Sequence, residues 1–239
     1  VCPGLKNIGM LNAANWEDLD NDGDADIIIA GEWTDILYLE NNNNKFEIKS
    51  LLSSKKVGWW NCISIADLDN DGLNDILLGN LGTNYKYEAN DNAPFEIFSD
   101  DFDNSGNTDI VLGYHQDDQL YPVRGLQCSS EQLPELKSKF KTYDKFGSSN
   151  IFQVYGESIQ NALHYQANSF ESAILWNKGA ATYSYEALPY QAQLSPIQDF
   201  ETIDIDGDGD LDIVAAGNWF VSEIETPRAD SGQGVVFEN

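Results

Sequence analysis

Four short apolar runs punctuate this chain: Ile27-Ile-Ile-Ala-Gly31, Ile76-Leu-Leu-Gly79, Ile110-Val-Leu-Gly113 and Ile213-Val-Ala-Ala-Gly217. No polar residue interrupts them, and each ends in glycine. Runs of this length predict strands buried on both faces. Two further pairs of segments partly alternate. Asp35–Glu40 and Lys45–Ser50 flank a turn at Asn41–Asn44, and Glu171–Trp176 and Thr182–Ala187 flank Asn177-Lys-Gly179. Both pairs read as hairpins. One unit is therefore strand, acidic loop, strand, strand, turn, strand. Four-stranded units repeated every 40 to 50 or so residues are the pattern of β-propeller blades.

The pattern breaks between about residues 126 and 160. Ser129-Ser-Glu-Gln132 has the form of an N-terminal capping box, and Leu133, Leu136 and Phe140 then keep helical spacing. Pro134 suits an early helical position. The segment is expected to be a helical insertion. Lys137, Lys139, Lys141 and Lys145 concentrate basic residues there. They read first as a solvated face covering a propeller edge, and alternatively as a contact for an acidic partner.

Ahead of every apolar run lies a nine-residue acidic segment. Asp18-Leu-Asp-Asn-Asp-Gly-Asp-Ala-Asp26, Asp67-Leu-Asp-Asn-Asp-Gly-Leu-Asn-Asp75, Asp101-Phe-Asp-Asn-Ser-Gly-Asn-Thr-Asp109 and Asp204-Ile-Asp-Gly-Asp-Gly-Asp-Leu-Asp212 align without gaps. Their starts are 49, 34 and 103 residues apart. The last interval corresponds to two units, or to one unit with an insertion. Carboxylates crowded this closely repel one another unless a cation compensates them. Hard divalent cations take oxygen ligands, and Ca²⁺ accepts six to eight at flexible geometry. Positions 1, 3 and 5 alternate inward, position 7 offers its carbonyl, position 9 closes the ring, and the glycine at position 6 permits the turn. The first half matches the EF-hand pattern; the second does not, since position 12 is aliphatic and the flanks are strands.

The expected ligands are Asp18, Asp20, Asp22 and Asp26 with the Asp24 carbonyl, then Asp67, Asp69, Asp71 and Asp75 with the Leu73 carbonyl. The third set is Asp101, Asp103, Ser105 and Asp109 with the Asn107 carbonyl. The fourth is Asp204, Asp206, Asp208 and Asp212 with the Asp210 carbonyl. About four Ca²⁺ ions are expected, bound most weakly where Ser105 replaces an aspartate. Mg²⁺ suits the loops less, because it demands tighter octahedral geometry.

Composition narrows the function. In 239 residues, 40 acidic and 13 basic side chains give a net charge of −27, which argues against nucleic acid and anionic membranes as partners. Hydrophobic residues at 41% suffice for a core. No apolar stretch is long enough for a transmembrane helix, and no signal peptide is visible. Cys2, Cys62 and Cys128 are too few and too scattered for a zinc site or a disulfide framework. Cys62 reads as a core residue, and a Cys2–Cys128 disulfide is a minor alternative.

The acidic loop followed by an aliphatic run and glycine resembles the FG-GAP or VCBS repeat of integrin-α-type propellers and bacterial surface proteins. Gly58-Trp-Trp-Asn61, Gly79-Asn-Leu-Gly82, Leu133-Pro-Glu-Leu136, Phe170-Glu-Ser172 and Ala192-Gln-Leu-Ser-Pro196 resemble VCBS-repeat proteins associated with ASPIC/UnbV domains and the cartilage-acidic-protein group. The resemblance implies an all-β propeller of four-stranded blades with a small helical insertion. The expected blades lie near 8–58, 59–95, 95–125 and 199–239, with the insertion at about 126–160 and further blade strands at about 161–198. Family propellers usually close with about seven blades, so the chain is expected to be one propeller domain or a segment of a larger one. The resemblance also implies a secreted or lipid-anchored, non-catalytic protein at a bacterial cell surface.

No nucleophile or metalloprotease motif argues for an enzyme. His164 reads as a strand residue and His115 as a surface residue. The expected function is a calcium-binding module for a protein partner, for adhesion or for an outer-membrane assembly. A carbohydrate-binding or glycan-uptake accessory role is the alternative. Trp33 and Trp219 follow equivalent strands, which suggests packing between blades, or else an aromatic lining for sugars with Asn80 and Asn84 nearby.

Overall fold

The computed structural model describes residues 3–6, 8–222 and 226–239. Cys2, and with it the Cys2–Cys128 pairing, lies outside the described residues. The chain divides into two compact units, one formed by Val1–Lys86 with Ser169–Asn239 and one by Tyr87–Asn168. Both are built from antiparallel sheets.

The first sheet of unit 1 runs in order through β1 (Met10–Glu17), β2 (Asp26–Thr34), β3 (Leu37–Asn41) and β4 (Phe46–Ser50), with β5 (Gly58–Trp59) added on β2. The turn between β3 and β4 puts Asn43 and Asn44 at φ +54° and +66°. Asparagine tolerates that left-handed pair, which matches the twist of a hairpin. The second sheet begins with β6 (Cys62–Ala66) and β7 (Asp75–Gly79).

Unit 2 then intervenes. It contains β8 (Phe95–Asp100), β9 (Asp109–Gln116), β10 (Gln119–Pro122), the helices α1 (Leu126–Gln132), α2 (Leu136–Lys139), α3 (Tyr143–Gly147) and α4 (Ile151–Tyr155), and β11 (Leu163–Ala167). Its sheet order is β10-β9-β8-β11. Back in unit 1, β12 (Ala173–Asn177) and β13 (Tyr183–Ala187) complete the second sheet, whose order is β13-β12-β7-β6. The last sheet is β14 (Asp199–Ile203), β15 (Asp212–Ala216) and β16 (Val235–Phe237).

This connectivity corrects the expected partition. Residues 59–95 do not form a unit by themselves: β7 pairs with β12, Ala173 against Leu78 and Leu175 against Ile76. The outer half of that sheet thus comes from beyond unit 2. Phe95–Asp100, at the junction of two expected blades, instead pairs with Asp109–Gln116 on one side and Leu163–Ala167 on the other. The irregular spacing of the acidic loops follows from a whole four-stranded sheet inserted within another.

Burial explains the apolar runs. In β7, Ile76 and Leu78 join a core with Ile28, Ala30 and Tyr38 of the first sheet and with Trp60, which follows β5. The intervening Leu77 joins Phe200, Ile213 and Ala215 of the last sheet. Side chains that alternate along a strand therefore enter two cores, and no polar position remains. Each such buried aliphatic side chain contributes about 1.5–3 kcal/mol. The run in β9 differs: Val111 is buried with Phe98, Leu120 and Ile151, while Ile110 is 45% exposed. Only one of its faces is covered.

The helical segment is present but starts elsewhere. Ser129 sits inside α1, where its hydroxyl donates to Arg124 O, and does not cap it. Pro134 follows the end of α1 at Leu133; a proline disfavours helical backbone in the residue before it. A capping box does occur at Asn150 and Gln153, opening α4. Leu133, Leu136 and Phe140 are buried together with Phe146 and Val154. Among the described residues no helix is long and apolar enough to cross a membrane.

Candidate metal centres

Each acidic segment connects the first two strands of a sheet: β1 to β2, β6 to β7, β8 to β9 and β14 to β15. The backbone conformation is the same four times. Position 6 is glycine at positive φ, from +87° at Gly106 to +101° at Gly209. A Cβ added there would meet nothing within 4 Å, so the requirement is conformational rather than steric. Position 4 is also left-handed, at Asn21, Asn70, Asn104 and Gly207. That second requirement explains the Asn or Gly there, and the sequence reading passed over it.

The turn aims backbone N–H groups at the carboxylates. Asp18 accepts from Asp22 N at 3.1 Å and from Gly23 N at 3.0 Å, and Asp20 accepts from Asp22 N at 3.1 Å. Asp67 and Asp69 repeat this with Asp71 N and Gly72 N, and Asp101 and Asp103 with Ser105 N and Gly106 N. In the fourth loop Asp204 accepts from Gly207 N and Gly209 N, and Asp206 from Asp208 N.

Carboxylate oxygens converge within 4.8 Å of one another in all four loops. The groups are Asp18, Asp20 and Asp22; Asp67, Asp69 and Asp71; Asp101, Asp103 and Asp109; and Asp204, Asp206 and Asp212. Positions 1 and 3 meet in every loop. The third member is position 5 in the first two loops and position 9 in the others. Asp208 is not in the fourth group; its carboxylate accepts from Asp210 N. Side chains at position 7 do other things. The Asp24 carboxylate accepts from Asn43 N, and the Asp210 carboxylate accepts from Asn70 Nδ2 at 2.6 Å, linking the second and fourth loops within unit 1.

Position 9 has a role beyond ligation. Asp26, Asp75, Asp109 and Asp212 are all buried. In each, Oδ2 accepts the N–H of position 2: Leu19 at 3.1 Å, Leu68 at 3.1 Å, Phe102 at 3.0 Å and Ile205 at 2.9 Å. In unit 1 the other oxygen accepts from elsewhere in the same sheet or from the chain end: Asn41 N at 2.7 Å, Asn177 N at 2.8 Å and Asn239 N at 3.0 Å. This aspartate clasps its loop to the sheet. Burial pushes the carboxyls of Asp75 and Asp109 up, against the N–H groups that lower them. Burial likewise raises Asp20, and the Asp22 and Asp26 charges add to that rise.

An oxygen-only donor set of this density fits a hard divalent cation. Without one, two like charges about 4 Å apart repel by about 1 kcal/mol in water and about 4 at a surface-like dielectric.

Residues 18–78 match the family model of the FG-GAP-like repeat. The matched segment is about a quarter of the chain. It runs from the first aspartate of the first loop to the last leucine of the second buried run. Comparison with curated proteins gives no match. The segment similar to the FG-GAP-like repeat thus holds two of the four loops, and the other two reproduce its turn and its clasp.

Other singled-out residues also have defined places. Asn80 is fully buried: Nδ2 donates to Ser169 O and Glu171 O, and Oδ1 accepts from Trp59 N and Leu81 N. It is a structural cross-link rather than a ligand-facing amide. Gly58 must be glycine, since a Cβ would sit 2.6 Å from Asn80 Nδ2 and 2.7 Å from Ser169 O. Trp33 is buried and meets Trp59 edge-on at 5.3 Å; Trp219 meets the same ring at 6.1 Å. In unit 2, the two histidines converge on the buried Glu96, His115 Nε2 at 2.7 Å and His164 Nε2 at 2.6 Å. No motif signals this triad, because its members lie on three strands.

Proposed function

We propose that the chain is a non-catalytic, calcium-loaded module of β-propeller type that recognises a partner at a bacterial cell surface. The observation that carries this reading is the fourfold convergence of carboxylate oxygens within 4.8 Å in hairpin loops of one conformation. Asp18, Asp20 and Asp22, and their counterparts in the other loops, hold the ions, and the position-7 carbonyls and position-9 carboxylates complete the shells. The ions neutralise charge that would otherwise splay the hairpins, so they set stability rather than chemistry. A catalytic arrangement would not recur in four loops. Exposed loops on rigid sheets supply the recognition surface. Millimolar extracellular calcium suits sites of this class, which supports a secreted or lipid-anchored location.

Thermal unfolding in calcium and in chelator, run beside native mass measurement, tests the reading. A calcium-dependent rise in Tm with about four bound ions is the expected result. A transition indifferent to calcium would remove the basis for the proposal.

A further inference from the structure

Unit 1 carries a second constructed feature, at the ends of the strands away from the acidic loops. It is a cavity of about 380 Å³ lined by Asn12, Glu32, Asn61, Gln198, Asn218 and Trp219. Three of these occupy one repeat position: Asn12, Asn61 and Gln198 each stand six residues before the first aspartate of their loop. They lie near the start of β1 and directly before β6 and β14, the strands through which the three sheets meet. Glu32 and Asn218 occupy a second repeat position, next to the glycines that close the runs of β2 and β15. The same repeat that builds the loops therefore builds a ring of amides at the opposite end.

The backbone is bent to admit Glu32. Pairing of β2 with β5 shifts register between Glu32 and Thr34, and Trp33 between them takes φ +59°. A left-handed tryptophan is costly, and such strain concentrates at functional sites. A bulge re-aims side chains. Here the Trp33 ring goes to the aromatic cluster while Glu32 lines the cavity.

The polar groups are held but not exhausted. Asn12 Nδ2 donates to Trp60 O at 3.0 Å and Asn61 Nδ2 to Ile197 O at 3.2 Å. Among the described residues, Oδ1 of each and the whole Gln198 amide make no hydrogen bond. Asn218 is fixed by Ser195 Oγ and by both backbone groups of Gly232. Among the described residues, Glu32 is the one charged group lining the cavity, the Asn12 amide bonds to it, and no cation lines the cavity. An anionic ligand would be repelled, and an apolar one would strip water from amides without replacing its hydrogen bonds. Hydroxyl groups, each both donor and acceptor, match the set. The partly buried Trp219 ring adds a flat apolar surface.

We infer that this cavity binds a neutral saccharide residue, with Asn12, Glu32, Asn61 and Gln198 pairing its hydroxyls and Trp219 covering one sugar face. The inference rests on the reading of unit 1 as a recognition module and names its ligand class.

The test is titration of the ¹⁵N-labelled protein, in calcium, with cellotetraose, xylotetraose, mannotetraose and maltotetraose, and with tetragalacturonate as the anionic control. At least one neutral sugar should shift the side-chain amide signals of Asn12, Asn61 and Gln198 saturably, while tetragalacturonate should not. Gln198→Ala should weaken that binding tenfold or more with the melting transition kept, and Trp219→Ala should weaken it at least as far in protein that still melts cooperatively, at a lower Tm because its ring packs on Trp59. Gln198 is exposed and its side chain bonds to nothing described, so its replacement spares the fold. Silence from all four neutral sugars overturns the inference. So does equal binding of the anionic sugar, or binding that both variants leave unchanged. Melting indifferent to calcium beside a clear sugar shift would defeat the loop reading alone; calcium-dependent melting without a sugar shift would defeat the cavity alone.

Discussion

The Tyr38 hydroxyl donates a 3.0 Å hydrogen bond to Asp26 Oδ2, tying β3 to the last position of the first acidic loop inside the core. Asp26 is fully buried and Tyr38 is 1% exposed. Burial pushes the Tyr38 phenol up, and the bond to Asp26 pushes it further. Tyr38→Phe keeps the ring and removes the donor. It should cost about 1 kcal/mol, read by urea unfolding in calcium. An unchanged midpoint would mean that the Leu19 and Asn41 N–H groups hold Asp26 unaided.

Asp75→Ala should be far more damaging. It strands the N–H groups of Leu68 and Asn177 in a buried place, at about 1–3 kcal/mol each. Gly72→Ala should cost about 1 kcal/mol through the +89° φ alone, because nothing crowds the added methyl. Comparing the two variants with and without calcium separates the clasp from the turn. If Gly72→Ala destabilises as much as Asp75→Ala, crowding rather than conformation governs that position.

Calcium at a hundred times its Kd should stabilise the native state by about 2.7 kcal/mol per site. The third loop, with Ser105 at position 5, should fill last. Ser105→Asp should raise its affinity, seen as a shift of the weakest step in calorimetric titration. Weakened binding in that variant would show that position 5 is not a ligand there.

Cys62 offers a pH-dependent readout. Burial among the strands of the second sheet pushes its thiol up to about 12. In a Cys2→Ser, Cys128→Ser background, native protein should react with a disulfide reagent at pH 8 far more slowly than urea-unfolded protein. The folded thiol keeps its proton in a range where the unfolded one, starting from 9.0, loses it. The native state then binds more protons, so stability should fall as pH rises from about 9 towards 12. A flat profile across that window would contradict the burial of the thiol.

Glu96 anchors unit 2, taking one imidazole on each oxygen. The His164 ring also stacks on Phe98 at 4.3 Å. Glu96→Ala should destabilise unit 2 by about 1.5–3 kcal/mol or more, since bonds to a charged group are lost together. Hydrogen exchange confined to residues 87–168 would locate the loss, and exchange spread evenly over both units would argue against it.

Much of this was legible in the chain. The four loops, their glycines and the buried runs after them declare themselves because local conformation and strand alternation are properties of short segments. The hairpins at Asn41–Asn44 and Asn177–Gly179 follow from the same local rules. The second role of Asp26, Asp75, Asp109 and Asp212 was not legible, because a ligand and a clasp both call for a buried carboxylate. The helix start at Ser129 was misplaced because a capping pattern competes with Pro134, whose effect on Leu133 prevails.

The sequence by itself determined where the acidic turns fall, which strands they join and what kind of ion their oxygens suit, since these depend on residues within nine positions of one another. Tertiary structure alone decided that β7 finds β12 across an inserted unit, that Glu96 collects His115 and His164, and that Asn12, Asn61 and Gln198 share one cavity. Those partners are separated by tens to nearly two hundred residues. Their meeting is set by which sheet faces bury against each other, and no local pattern encodes it.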